Sequence, residues 1–108
     1  MPKINTSRFD AAEYLDTPAL QAEYISAALE TGDAAFVRDA VSIVARARGM
    51  SGVARTAGLN RESLYKALGE GGNPEFGTML SVLRALGIEL AAKPAKRRPS
   101  RARKARAV

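Results

Sequence analysis

The chain has 108 residues, 46% hydrophobic and 26% charged, which is enough for one modest core, with no apolar run near the roughly 20 residues of a membrane span. It contains neither cysteine nor histidine, which excludes a disulfide framework and removes the usual zinc ligands and nucleophile–base pairs; a non-enzyme without metal or cofactor is expected. The net charge of +6 is uneven: of seventeen Lys and Arg residues, eight fall in the acid-free stretch 93–108, leaving nine against eleven carboxylates in 1–92.

Residues 1–16 read as an ordered N-terminal arm. Met-Pro-Lys-Ile-Asn at its start lacks the apolar stretch of a secretory signal, so a cytoplasmic protein is expected. Within the arm, Ile4, Phe9, Tyr14 and Leu15 alternate with Asp10, Glu13 and Asp16. Carboxylates three apart on one short segment read as a solvated face, because no nearby side chain would complete a metal or acid–base site.

Thr17-Pro18 starts the first helix, with a side-chain cap followed by a residue that loses no needed donor. Leu20, Tyr24, Ile25, Ala28 and Leu29 give it an apolar stripe, and Gly32 ends it. Asp33 opens a second helix to Arg48, with Phe36, Val37, Ala40, Val41, Val44 and Ala45 as its stripe and Gly49 as its stop. Ser51 is expected to cap a short third helix through Ala57. Gly58 turns the chain, and Asn60 caps a fourth helix from Arg61 to Leu68. The run from Gly69 through Asn73-Pro74 must be a loop. Phe76, Met79, Leu80, Val82, Leu83 and Leu86 pattern a fifth helix ending at Gly87, and the alternation in Ile88 to Ala91 predicts a short C-terminal strand.

The third and fourth helices carry the chemistry. A helix-turn-helix needs a small residue where its helices press together, a glycine at positive φ in the turn, and apolar anchors beneath the second helix. Ala54 and Gly58 fit the first two positions; Val53, Leu59, Leu64 and Ala67 supply the anchors. The outward positions are then Asn60, Arg61, Glu62, Tyr65 and Lys66, which suit a major groove. Arginine can bond guanine, asparagine adenine and glutamate cytosine, while lysine and tyrosine can hold phosphate. Arg46, Arg48, Ser51, Arg55 and Ser63 are the candidates for the DNA backbone. From Arg46 to Lys66 there are five basic residues and one acidic residue, inside a domain otherwise net negative.

The run Ala-Arg-Ala-Arg-Gly-Met-Ser-Gly-Val-Ala-Arg-Thr-Ala-Gly-Leu-Asn-Arg-Glu-Ser-Leu-Tyr-Lys-Ala-Leu, with the later Gly-Asn-Pro-Glu-Phe-Gly-Thr-Met-Leu-Ser-Val-Leu-Arg-Ala-Leu-Gly, resembles the addiction-module antidote proteins. These are small antitoxins within the Cro/CI-type, HigA-like helix-turn-helix group. The resemblance spans residues 9–92, is strongest through 45–88 and does not reach the tail. It implies a bacterial type II antitoxin that neutralises a RelE/HigB/ParE-like toxin and represses their shared operon. Asp10, Glu13, Asp16, Glu23 and Glu30, on the arm and first helix, would suit a small basic toxin.

Lys93, Lys96, Arg97, Arg98, Arg101, Arg103, Lys104 and Arg106 form a tail expected to be disordered and to bind DNA without sequence preference. It has no aromatic residue on which bases could stack. The whole reads as an all-α, five-helix Cro/CI-like (lambda repressor-like) DNA-binding domain at 17–92, between the arm at 1–16 and the tail at 93–108. It is expected to be a homodimer on double-stranded operator DNA, with the fifth helix and residues 88–91 as interface candidates. The tail also suits an alternative, a stand-alone repressor or nucleoid-associated protein without a toxin; the neighbouring reading frame discriminates between them.

Overall fold

The structure is a computed structural model that describes residues 15–95. Five α-helices follow one another: α1 (Pro18–Glu30), α2 (Ala34–Arg48), α3 (Met50–Ala57), α4 (Arg61–Leu68) and α5 (Phe76–Ala85). No strand occurs among the described residues: the segment expected to form one, Ile88 to Ala91, is irregular, and the Ile88 N–H bonds back to Leu83 O at 2.9 Å. Ile88 instead lies half-buried against the core, so its apolar character serves helix packing. The arm as far as Tyr14 and the tail from Lys96 lie outside the described residues.

The helix ends follow local chemistry. Thr17 Oγ1 accepts from the Leu20 N–H at 3.2 Å, with Pro18 at the first helical position. Asp33 Oδ1 accepts from the N–H groups of Ala35 and Phe36 at 3.0 and 3.2 Å. Each bond satisfies an amide that the helix itself leaves free. At α3 the expected cap is displaced: Gly49, not Ser51, is the N-cap, and Ser51 lies inside the helix. The Val53 N–H bonds the Gly49 carbonyl at 3.1 Å as the first helical bond. Gly49 has φ 105°, which lets a single residue both end α2 and begin α3, and brings Met50 into the core.

The core gathers Leu15, Ile25, Val41, Val44, Ala45, Met50, Val53, Ala54, Leu64, Leu68, Val82, Leu83 and Leu86. α1 packs on α2, while α3 sits centrally against α2, α4 and α5. Four expected core positions are exposed, Leu20 (42%), Leu29 (41%), Phe36 (50%) and Phe76 (70%), and Tyr24, Val37, Met79 and Leu80 are half-buried. The buried line on α1 is Gln21, Ile25 and Ala28, a narrow stripe suited to a helix that packs chiefly on one neighbour. Periodicity marks an apolar face without saying how much of it a neighbour covers.

Gly58 ends α3 at φ 78° and ψ 26°, in the left-handed region. Its N–H bonds Arg55 O at 3.2 Å and the Leu59 N–H bonds Ala54 O at 2.8 Å, the paired bonds of a Schellman turn. A Cβ there would meet no atom within 4 Å, so only backbone strain opposes a side chain. Gly58→Val is expected to lower stability by about 2 kcal/mol, whereas Gly58→Asn should be nearly tolerated. Urea unfolding of both variants checks this, and equal losses would contradict the turn.

Candidate nucleic-acid interface

α4 is fixed from both sides of its sequence pattern. Leu64 and Leu68 are 0% and 2% exposed and seat it on the core, each contributing about 1.5–3 kcal/mol by burial. Asn60 Oδ1 accepts the Ser63 N–H at 2.7 Å and fixes its start. Arg61, Glu62, Tyr65 and Lys66 are thereby turned outward, all exposed. Arg61 lies over the Tyr65 ring, its guanidinium carbon 5.2 Å from the centroid, with Nη2 3.5 Å from the tyrosine hydroxyl. A guanidinium held against an aromatic face keeps its plane fixed and its outer edge free to donate.

The structure divides the remaining candidates. Val53, Ala54 and Leu64 are buried, and Leu59 packs partly buried against the core, as read from the sequence. Ala67 is only half-buried. Arg46, Ser51, Arg55 and Ser63 are exposed, and the first three amides of α3, from Met50 to Gly52, precede its first helical bond. Arg48 is exposed too, but part of its guanidinium is engaged. Its Nη1 donates to Gln21 Oε1 at 3.0 Å and to Leu86 O at 2.8 Å, so its guanidinium ties α2 to α1 and to the end of α5. Gln21, 3% exposed, completes the link by donating from Nε2 to Leu15 O at 2.8 Å. An arginine at the end of α2 reads from sequence as a surface cation, and only its acceptors on Gln21 and Leu86 show that it also links helices.

The Asn60 side-chain oxygen is committed to the cap, in which its amide NH2 takes no part. Asp16, Glu23 and Glu30 are exposed, while Asp10 and Glu13 lie outside the described residues. Of the basic tail, only Lys93 is described, its Nζ 3.9 Å from Glu30 Oε2 at an exposed site; Lys96, Arg97, Arg98, Arg101, Arg103, Lys104 and Arg106 lie outside.

Gly72, a loop residue by sequence, also makes a close packing contact. A Cβ on it would fall 2.5 Å from Lys66 O and 2.9 Å from the Ala67 carbonyl carbon, so the loop after α4 presses directly on that helix's last turn. Gly72 O also accepts from Arg38 Nη1 at 2.9 Å, which joins α2 to the same loop. The Gly-Gly pair at 71–72 was the available signal, legible as a close approach as well as a loop.

These elements define a small domain, all-helical among the described residues, whose fourth helix presents a polar outer face carrying Arg61 and Lys66 against Glu62. The profile of a family described as probable addiction module antidote protein matches residues 5–94, and the chain belongs to that family. It is 41% identical over 81 residues to an uncharacterized protein of Haemophilus influenzae, covering 75% of this chain and 84% of the relative. No solved structure matches it. Antidote membership implies a toxin as partner. No helix of the described residues is long and apolar enough to cross a membrane.

Proposed function

We propose that this chain is the antitoxin of a type II toxin–antitoxin module, which neutralises a RelE/HigB/ParE-like toxin and represses its own operon. In this reading α3, the Gly58 turn and α4 act as a helix-turn-helix of the Cro/CI-like kind, and a homodimer sets two copies of α4 about 34 Å apart on a palindromic operator. The protein works by binding, not by catalysis, in the cytoplasm and on the nucleoid.

The observation that carries the reading is the outer face of α4, where Arg61, Glu62, Tyr65 and Lys66 stand exposed while Leu64 and Leu68 are held in the core. An eight-residue helix is about 12 Å long and fits a major groove about 12 Å wide. Exposed Arg46 and Arg55 supply charge for phosphate on the helices around it. The basic tail adds contacts without sequence information, each neutralised phosphate steepening the salt dependence by about 0.9 log units per log unit of salt.

A gel shift on the promoter upstream of the gene tests the reading, together with co-purification of the neighbouring gene product. Arg61→Ala is expected to weaken operator binding by about 1–3 kcal/mol and to relax base preference. Unchanged affinity would remove α4 from the groove. Asn60→Ser separates the two uses of that residue, since serine keeps the cap and loses the amide. We expect unchanged thermal stability and a weakened operator complex; wild-type binding would leave Asn60 as a cap alone.

A further inference from the structure

α1 packs on α2 and α5 packs on α3, an arrangement that leaves the space between the α1–α2 pair and α5 uncovered by the described residues. The result is an apolar groove of about 610 Å³, lined chiefly by Ile25, Leu29, Val37, Phe76, Met79 and Leu90. Phe76 stands 70% exposed at its edge and Leu29 41%. Burying both would remove large apolar surfaces from water, and such a patch on a small domain marks an interaction site.

The charge around the groove is opposite to that of the stretch from Arg46 to Lys66, where five basic residues stand against Glu62. Exposed Glu30, Asp33, Glu75 and Glu89 each adjoin a lining residue in the chain. Asp39, next to the lining residue Arg38, is a fifth carboxylate, against three cations: Arg38, which bonds Asp39 and Gly72 O, Lys93, 3.9 Å from Glu30, and exposed Arg84 beside Leu83, so the surroundings stay net acidic. DNA phosphate is therefore repelled here. A second copy seated by a two-fold contact would bring the same carboxylates against one another.

We infer that the groove is the seat of the toxin. It receives a toxin segment that inserts apolar side chains between α1 and α5 and carries Lys or Arg on its flanks. The inference rests on the antitoxin reading above and assigns it a surface. Its charge sorts the two partners, because a basic protein segment is repelled by the α4 face and drawn to the groove.

The test measures the affinity of the full chain for the product of the adjacent reading frame by calorimetry. Three variants are compared: Leu29→Glu with Phe76→Ser in the groove, Glu30→Lys with Glu75→Lys at its rim, and Arg61→Ala as control. We expect at least tenfold weaker binding in the first two, with operator affinity and melting temperature unchanged, and wild-type binding in the third. The rim variant changes only exposed side chains, so it remains informative if the groove variant melts early. Wild-type affinity in the groove and rim variants overturns the inference alone. Absence of binding by the unmodified chain overturns the antitoxin reading and the inference together. Sedimentation completes the test: a wild-type dimer that Phe76→Ser dissociates would give the groove to a second copy and also overturn the assignment.

Discussion

Gly72→Ala is expected to destabilise the protein by about 3 kcal/mol, at the upper end of overpacking costs, and to lower its melting temperature by roughly 15 °C for a domain of this size. The added methyl group would fall 2.5 Å from Lys66 O and 2.9 Å from the Ala67 carbonyl carbon. These are backbone atoms of a helical turn whose next residue, Leu68, is buried at 2% exposure, so they have little room to withdraw. The loop must move instead, and moving it breaks the Arg38 bond to Gly72 O. Gly71→Ala makes the comparison specific: Gly71 has φ 80° and nothing within 4 Å of a Cβ, so that variant meets backbone strain alone and should lose only about 1–2 kcal/mol. Thermal melting of the pair checks the order, and a milder effect at 72 than at 71 would contradict the packing of this loop.

Arg48→Ala is the second large effect. We expect about 2–3 kcal/mol of lost stability, with operator affinity of the folded fraction close to wild type. The guanidinium satisfies a side-chain oxygen on Gln21, 3% exposed, and the carbonyl of Leu86, 1% exposed. Removing it leaves both acceptors, part-buried at the α1–α2–α5 junction, short of a charged donor. Both bonds leave from the single nitrogen Nη1, so Arg48→Lys, whose ammonium carries three donors, should recover part of the loss. Chemical denaturation gives the stability change, and DNA titration at a temperature where the variant stays folded gives the rest. A variant with normal stability and weakened DNA binding would return Arg48 to the phosphate backbone.

Much of the helical framework was legible because its boundaries are local. Thr17-Pro18, Asp33, Asn60 and the glycines at 32 and 58 act through bonds to residues two to five places away, so sequence neighbours carry the information. Gly49 defeated the same reasoning, since Ser51 is a better capping residue by type but lies too far along once Met50 must enter the core. Phe36 and Phe76 failed as core predictions for a different reason: whether an apolar face is covered depends on how α1, α2 and α5 pack together. In the candidate site, Arg61, Glu62, Tyr65 and Lys66 were legible as outward positions from the spacing around Leu64 and Leu68. Arg48 was not, because its acceptors come from residues 27 and 38 positions away.

The cap at Asn60 also bears on how this protein can change partners. A side chain at that position must keep a short oxygen acceptor for the Ser63 amide, so substitution there is confined to a few small polar residues. Arg61, Glu62, Tyr65 and Lys66 carry no such obligation to the helix start. Under the operator-binding function proposed above, duplicated copies that must stop answering to each other's promoters would diverge on α4 at those four positions while position 60 drifts little. Insulation between paralogous modules would then be written in four side chains next to one held still by the fold.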